Sequence, residues 1–240
     1  MKLPHRIKWK HVRRLYETLA PHMKASPIRE VVPESGRVLV LSPHIDDDVI
    51  GAGGCLRKHV RAGDFVKIVY FADCTEARVR EAEEAAAIIG VSDLEFLGYE
   101  SKRLLECRGL DDRLSVILKD YGPDIVYLPS LFDRHNDHLA VNHLLAAIHD
   151  QFHFNFTVCA YEVWTALVPN LVVDITDSVA EKKHALSRYK SQLASNDWVE
   201  AATSLNRFRG VTSGAGTYAE GFMRFSMKEY YRIWQTVYGE

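Results

Sequence analysis

The sequence lacks the marks of several large protein classes. No apolar run approaches the roughly 20 residues needed to cross a bilayer, and the first residues lack the charged-then-apolar pattern of a signal peptide. None of the four cysteines belongs to a Cys-x-x-Cys pair, so a thiolate-rich metal site is not expected. We therefore expect a protein without an integral membrane segment, located in the reducing cytoplasm.

An excess of charge of either sign is also missing. The 240 residues include 30 basic and 32 acidic side chains, which gives a formal net charge of −2. Without a global positive field, nucleic acid is not an expected partner. The basic residues near the N-terminus are interrupted by acidic and aromatic residues, so they predict only a solvated helix face. They are Lys8, Lys10, Arg13 and Arg14. A hydrophobic content of 47% suffices for one good-sized α/β core.

Short apolar runs of strand length alternate with segments of helical spacing along most of the chain. The strand-like runs are 37–42, 65–71, 94–97, 125–128, 156–163 and 171–175. The helix-like segments are 8–20, 50–61, 76–89, 111–120, 138–149, 177–194 and 226–238. This alternation predicts βαβ units around a mainly parallel sheet. Gly63, Gly90 and Gly122 stand where three of the helices are expected to end.

No internal repeat, low-complexity tract or linker divides the chain, so we predict a single domain over residues 1–240. Residues 1–30 are expected to form a helical extension at the N-terminus. Residues 195–220 are rich in Ser, Asn, Gly and Thr, and we predict a long loop there that takes part in substrate binding. Aromatic residues near Trp234 and Tyr238 leave room for an interface in a homo-oligomer.

One imidazole and three carboxylates follow the first strand-like run, in the segment from His44 to Asp48. Buried charge is costly unless it is compensated, so carboxylates at the end of a core strand favour a bound cation. The nearby imidazole favours a metal ion. Acidic residues at a helix start also complement the helix dipole. This cluster alone therefore leaves a structural cap and a metal site as equal alternatives.

A second cluster, Asp133–His138, follows a later strand-like run. His135 and His138 stand three positions apart and would point to a similar side of a helix start. One could bind a metal while the other polarises a carbonyl or protonates a leaving group, and Asp137 could orient an imidazole. Both clusters fall at the carboxyl ends of predicted parallel strands, where such sheets bind ligands. Together they predict one metal site built from distant parts of the chain.

In these motifs the sequence resembles the PIG-L/LmbE-like zinc-dependent N-acetylglucosaminyl deacetylases. That family carries an H-P-D-D-E motif after its first strand and an H-x-D-H motif later, which stand here as His44-Ile45-Asp46-Asp47-Asp48 and His135-Asn136-Asp137-His138. The segment 75–90, with Arg78 and Glu81, and the segment Phe96-Leu97-Gly98 resemble further parts of the family pattern. The resemblance implies a Rossmann-like three-layer αβα sandwich with a mainly parallel sheet and a C-terminal elaboration.

The resemblance also implies a role for each matched position. His44, Asp47 and His138 would bind Zn²⁺, and Asp46 would be the general base that takes a proton from water. His135, supported by Asp137, would stabilise the oxyanion or act as an acid. In the mechanism we expect, the protonated His135 ring stabilises the oxyanion. The substrate would be a small-molecule amino-sugar conjugate. Four residues are candidates for contacting it: Arg78, Glu100, Arg134 and Trp164.

Two positions depart from the family pattern. Ile45 replaces the usual Pro and Asp48 replaces the usual Glu, which shortens that side chain by one methylene. Because the Glu position normally has a supporting role, we expect the metal site to survive. The departures suggest a divergent subfamily with an altered substrate.

Three other functions compete with deacetylation of an amino sugar. The same zinc chemistry could hydrolyse a non-sugar N-acyl substrate or an antibiotic or glycan intermediate. The glycines in Gly51–Gly54 hint at nucleotide binding, although G-x-G-x-x-G is missing and the row of aspartates would repel a pyrophosphate. A non-catalytic metal-binding or carbohydrate-binding protein is the third alternative, but it would need neither Asp46 nor His135.

Overall fold

The structure is a computed structural model that describes residues 9–23, 27–31 and 33–239, with the side chains of the first helix described from residue 14 onward. The predicted N-terminal extension therefore lies partly outside the described residues, as does Lys8. Helix α1 spans Trp9–Leu19. No helix in the described ranges combines the length and the apolar character needed to cross a membrane.

The core of the molecule is one sheet of eight strands in the described part of the chain, in the order β1-β7-β8-β6-β5-β2-β3-β4. Strand β8 is antiparallel to both of its neighbours, and every other pairing is parallel. The strands are β1 (Ile28–Glu30), β2 (Val38–Ser42), β3 (Val66–Ala72), β4 (Asp93–Tyr99), β5 (Ile125–Pro129), β6 (Thr157–Tyr161), β7 (Leu171–Asp174) and β8 (Ala219–Ser226).

Helices cover both faces of this sheet. They are α2 (Asp47–Ala62), α3 (Glu76–Ile89), α4 (Leu110–Tyr121), α5 (Asn136–Phe152), α6 (Val179–Leu186), α7 (Lys190–Leu193), α8 (Trp198–Ser213) and α9 (Met227–Tyr238), besides α1. Along β2, Val38 and Val40 pack on the side of α2, α3, α6 and α8, whereas Leu39 and Leu41 pack on the side of α4, α5 and α9. A strand that is buried on both faces needs this continuous apolar run. The predicted three-layer αβα fold is confirmed.

The structure corrects the predicted long loop over 195–220. Most of that segment is helix α8, which begins where the Asp197 side chain accepts a hydrogen bond from the Glu200 N–H at 2.9 Å. Most of its hydroxyls bond to carbonyls one turn back, as Thr203 does to Val199 at 2.7 Å, so these polar residues are accommodated within the helix. The helix predicted over 177–194 is likewise interrupted, since α6 ends at Leu186 and α7 begins at Lys190.

The glycines at the start of α2 serve packing rather than phosphate binding. A Cβ on Gly51 would lie 2.2 Å from a ring carbon of Tyr161, and one on Gly54 would lie 2.7 Å from the Cβ of Ile175. The helix can therefore approach the sheet closely only because these side chains are missing. This explains the glycine cluster without a nucleotide.

Strand order places the two sequence motifs side by side. Strand β2 lies between β3 and β5, and α2 follows β2 on one face of the sheet while α4 and α5 flank β5 on the other. The helices that follow β2 and β5 therefore lie on opposite faces of the sheet, which makes the position between these two strands a switch point. Open α/β sheets bind ligands in the crevice at such a switch point, outside the carboxyl ends of the strands.

Candidate metal and catalytic site

A tight turn after β2 holds the first motif. The Ser42 hydroxyl donates to the His44 carbonyl at 2.7 Å and accepts from the Asp48 N–H at 3.1 Å. The His44 N–H donates to Oδ2 of Asp47 at 2.9 Å. These bonds close the turn from strand to helix and leave the His44 and Asp47 side chains on the sheet edge.

The Asp47 carboxylate lies between the two distant motifs. Its Oδ2 is 3.1 Å from Nδ1 of His44 and 3.0 Å from Nε2 of His138. The ring nitrogens of His44, His135 and His138 lie within 4.8 Å of one another. The structure thus brings together all three residues expected to bind the metal, and it places His135 beside them.

The donor set fits a divalent cation. Two imidazoles and one carboxylate are the usual ligands of a catalytic zinc site that keeps an open position. His138 is fully buried, and within the described residues neither of its ring nitrogens has a partner in hydrogen-bonding geometry. A buried imidazole without such partners is the group that a metal ion would satisfy.

The second motif is held at the start of α5. Asp133 is the anchor: Oδ1 accepts from the His135 N–H at 3.0 Å and lies 3.4 Å from Nδ1 of His138. Its Oδ2 accepts from the Trp164 N–H at 3.0 Å. Asp133 therefore orients the second motif and ties it to the segment after β6.

Asp137 supports a different imidazole from the one expected. Its Oδ2 lies 3.1 Å from Nε2 of His44, and it also accepts from the Lys102 N–H at 2.7 Å and the Ser101 hydroxyl at 3.0 Å. With His135 it makes only a backbone contact, in which the Asp137 N–H donates to Nδ1 of the ring at 3.2 Å. The expectation that the carboxylate supports His135 is therefore corrected, because Asp137 is the second residue of α5 and its side chain faces His44 and the turn after β4 rather than the cap residue His135.

Negative charge dominates the electrostatics of this cluster. Burial opposes a charged imidazole, yet the carboxylates, led by Asp47, raise the pKa of His44 to about 10 and that of His138 to about 9. Burial alone would raise the pKa of Asp47, but His138 and His44 hold it well below its usual range. The carboxylates therefore require positive charge between the two motifs, which protons on the imidazoles or a metal ion can supply.

Asp46 stands apart from these ion pairs. It is the residue before α2, but its side chain makes no capping hydrogen bond with the helix. Burial, and then the Asp47 carboxylate, raises its pKa to about 7, against the opposing effect of the nearby Arg78 guanidinium. A carboxylate with that pKa exchanges protons near neutral pH, as a general base must.

The two departures from the family pattern are accommodated inside the protein. Ile45 is fully buried in the core on the α2 side, so an apolar side chain suits that position. Asp48 is also fully buried, and it accepts a hydrogen bond from the Tyr70 hydroxyl at 3.1 Å. Burial raises its pKa to about 7. Neither residue displaces His44 or Asp47 from the cluster.

Comparison with known families finds a match that spans this site. Residues 39–149, which include both motifs, match the family PIG-L, described as GlcNAc-PI de-N-acetylase. The match covers slightly less than half of the chain and shows its similarity to this family. This confirms the resemblance inferred from the sequence.

Similar proteins support the same fold. The diacetylchitobiose deacetylase of Thermococcus kodakarensis is 24% identical over 201 residues, which cover 71% of this chain and 75% of that protein. The structure of the diacetylchitobiose deacetylase from Pyrococcus horikoshii, complexed with its inhibitor MPG, has a TM-score of 0.71 at 23% identity, covering 95% of this chain and 97% of that one.

The same fold also carries a different reaction. The structure of the 4-carboxy-2-hydroxymuconate hydratase from Pseudomonas putida has a TM-score of 0.62 at 24% identity, covering 78% of this chain and 95% of that one. Fold likeness therefore does not decide the reaction, and the side chains of the site must carry that argument.

The four candidates for substrate contact lie at different distances from the PIG-L motifs. Arg78 is near Asp46 and pairs with Asp73 at 3.1 Å. Arg134 donates to the Trp164 carbonyl at 3.5 Å, so both lie beside the second motif. Glu100 is exposed and pairs with Arg103 at 3.0 Å, outside the contacts of the cluster.

Sequence reasoning missed several residues that shape the site. Asp133 belongs to the second cluster but has no role in the sequence analysis, and its place in the turn between β5 and α5 is the available signal. Ser101 and Lys102 follow β4 and carry no recognisable motif. Asp73 and Lys102 both have positive φ, of 57° and 67°. Such backbone strain in residues other than glycine concentrates at functional sites.

Proposed function

We propose that the protein is a metal-dependent N-deacetylase that removes the acetyl group from an N-acetylglucosamine-type amino-sugar conjugate, with Zn²⁺ as its native ion. One observation carries the proposal: Asp47 lies within 3.1 Å of both His44 and His138, while Asp46 beside it makes no capping bond. A purely structural metal site would need no such free carboxylate.

His44, Asp47 and His138 would hold the ion, and their second partners fix their orientation. Asp137 orients His44 and Asp133 orients His138. When bound, Zn²⁺ supplies Lewis acidity: it lowers the pKa of a water molecule toward about 7 and polarises the amide carbonyl of the substrate.

Asp46 is assigned as the general base. Its carboxylate takes a proton from the attacking water and later returns it to the departing amine, which leaves acetate and a free amino sugar. Positioned proton transfer of this kind contributes about 10²–10⁴-fold to the rate. Burial and Asp47 raise the pKa of Asp46, and a cation bound beside it would oppose that rise, which favours the ionised carboxylate that accepts the proton.

His135 is assigned as the hydrogen-bond donor to the developing oxyanion, and its geometry favours the neutral form over the protonated form expected earlier. Burial, together with His44 and His138, lowers its pKa. Because Nδ1 accepts the Asp137 N–H, a neutral ring must carry its proton on Nε2. One well-placed donor to an oxyanion is worth about 3–4 kcal/mol.

Metal analysis combined with acetate release tests the proposal. The purified protein should contain one zinc per chain and release acetate from N-acetylglucosamine or N,N'-diacetylchitobiose. Chelation should abolish the activity and added Zn²⁺ should restore it. Activity that survives complete metal removal would contradict the proposal, and hydrolysis confined to N-acetyl amino acids would favour the non-sugar amidase instead.

Two further proposals concern the protein as a whole. We retain a cytoplasmic location and a homo-oligomer as predictions from the sequence. Cell fractionation tests the first, and light scattering of the purified protein tests the second.

A further inference from the structure

A short turn follows β4 beside the metal site. From Phe96 to Tyr99, β4 advances three residues while its partner β3 advances two, and Gly98 accommodates the extra length at a φ of 71°. An extra residue of this kind bends a strand, and it re-aims the groups that follow, often next to an active site. We call the turn that follows this bend, Ser101–Lys102, the β4 turn.

The β4 turn directs two hydrogen-bond donors at one carboxylate oxygen. The Lys102 N–H donates to Oδ2 of Asp137 at 2.7 Å, and the Ser101 hydroxyl donates to the same atom at 3.0 Å. The Asp137 side chain is only 2% exposed, so its charge needs such partners within the protein. Hydrogen bonds to a carboxylate are short and strong. The two bonds therefore fix the position of this oxygen.

The same oxygen of Asp137 also contacts the His44 ring. Nε2 of His44 lies 3.1 Å from Oδ2 of Asp137, whereas Nδ1 lies 3.1 Å from Oδ2 of Asp47. A neutral imidazole has one N–H, so a proton on Nε2 makes the Asp137 contact a hydrogen bond and leaves the lone pair of Nδ1 facing the cluster. The position of Asp137 therefore sets both the tautomer of His44 and the direction of Nδ1.

Backbone strain at Lys102 accompanies this arrangement. Its φ of 67° lies in the left-handed region, which is unfavourable for a residue with a side chain. Lys102 is exposed, so burial of its side chain does not account for the conformation. Strained residues persist where surrounding contacts compensate the strain, and they concentrate at functional sites. The contact made in this conformation is the 2.7 Å bond from the Lys102 N–H to Asp137.

We propose that the β4 turn positions the metal ligand His44 through Asp137. The Ser101 hydroxyl and the Lys102 N–H are positioning groups, because they hold the carboxylate that orients the imidazole. Without the hydroxyl, Asp137 has one donor fewer and the His44 ring is held less firmly, which weakens the binding of the ion. The inference rests on the proposed function, since it concerns the metal of the same site.

Zinc affinity tests the role of the Ser101 hydroxyl. In competition with a chelator of known affinity, Ser101→Ala should bind Zn²⁺ about 3–10-fold more weakly than wild type, where tenfold corresponds to one hydrogen bond. Ser101→Thr keeps the hydroxyl and should bind Zn²⁺ nearly as tightly as wild type. Ser92→Ala, the same change at an exposed position before β4, is the matched control. An unchanged affinity in Ser101→Ala would overturn the proposal.

A cobalt spectrum separates the positioning of His44 from mere stability of the turn. The visible absorption of bound Co²⁺ reports the arrangement of its ligands. Ser101→Ala saturated with Co²⁺ should show a shifted visible band, because the His44 ring changes its direction, while Ser92→Ala should show the wild-type band. A wild-type band in saturated Ser101→Ala would mean that the hydroxyl only stabilises the turn, and the proposal would fail.

Hydrogen exchange tests the Lys102 bond without any metal. In ¹⁵N-labelled, metal-free wild type, the Lys102 amide proton should exchange slowly although Lys102 is exposed. Asp137→Ala should speed this exchange about tenfold or more, because the acceptor is lost. Asp111→Ala, at the exposed start of α4, should leave it unchanged. Fast exchange of the Lys102 amide in wild type would contradict the proposal.

The outcomes separate the two proposals. If wild type deacetylates amino sugars but Ser101→Ala keeps the wild-type zinc affinity, the β4 turn loses its role and the proposed function stands. If wild type hydrolyses no N-acetylated amino sugar while Ser101→Ala binds zinc more weakly, the proposed function fails and the role of the turn stands. If Ser101→Ala does not fold, exchange of the Lys102 amide in wild type decides.

Discussion

Three consecutive aspartates of this chain have three different environments. Asp47 contacts two imidazoles, Asp48 is buried with the Tyr70 hydroxyl, and Asp46 makes no capping bond. Successive residues at a helix start project about 100° apart, so neighbours in sequence meet different surroundings. Because of this divergence, one carboxylate can bind a metal while the next transfers a proton.

Asp46→Asn should lower kcat by about 10²–10⁴-fold, because the amide cannot accept the proton that the carboxylate takes from water. Zinc content should stay at the wild-type level, since Asp46 is not among the expected ligands. Acetate release and metal analysis of the same preparation measure both. Asp111→Asn, the same change at the exposed start of α4, is the matched control. Near-full activity in Asp46→Asn would contradict the assignment of the base.

Asp133→Asn should weaken zinc binding by about 10–100-fold. The carboxylate lies 3.4 Å from Nδ1 of His138, and partners of this kind fix the orientation and basicity of a metal-binding imidazole. Competition with a chelator of known affinity measures the change. An unaltered zinc affinity would show that Asp133 only holds the loop, through its bonds to His135 and Trp164.

At the scale of elements, apolar periodicity predicted most of the structure. The predicted helix 76–89 coincides with α3, and Ser226 caps α9 with a complete capping box to Glu229. The failures are instructive. The structure has helix α8 where a loop is predicted, because Ser and Thr hydroxyls bond within that helix. The prediction lacks β8 because this strand begins with a small and an acidic residue that only tertiary contacts bury.

Helix α2 contains a buried histidine that makes stability depend on pH. Nδ1 of His59 lies 2.7 Å from Oδ2 of Asp64, and its Nε2 lies 2.9 Å from the Tyr127 hydroxyl. Burial lowers its pKa even though Asp64 opposes that shift. The unfolded chain therefore binds a proton more readily than the folded chain, so this contribution to stability is present above about pH 6.5 and is lost as the pH falls.

His59→Gln should flatten the dependence of unfolding free energy on pH between about pH 7.5 and 5, because the variant has no imidazole to protonate there. Urea unfolding of the metal-free protein at several pH values measures the slope. His184→Gln, at an exposed position of α6, is the matched control. A steeper slope in His59→Gln than in wild type would reverse the sign of the argument.

At the scale of the molecule, a buried ion pair ties three elements together. Lys182 of α6 pairs with Glu220 of β8 at 2.6 Å, and neither side chain is exposed to solvent. Glu220 also accepts from the N–H groups of Gly54 and Cys55 in α2, at 2.9 and 2.8 Å. The antiparallel strand β8 is thus fastened to the helix that carries the first motif.

Lys182→Met should destabilise the protein by about 3–5 kcal/mol, because it leaves the Glu220 carboxylate buried without its cation. Lys182→Met combined with Glu220→Gln should cost less than the sum of the single changes. Urea unfolding of the four proteins gives the coupling energy. The exposed pair Arg103 and Glu106 is the control, and its double substitution should have little effect. Additive costs at the buried pair would contradict this account.

The sequence by itself determined where most strands and helices lie, and which side chains could bind a metal, since both depend on residue type and local spacing. Only the tertiary structure decided that Asp137 contacts His44, that β8 lies between β6 and β7, and that Asp133 contacts His138. The physical reason is one of range. Periodicity and capping act within a few residues, whereas these contacts join side chains far apart in the chain and exist only once the layers have packed.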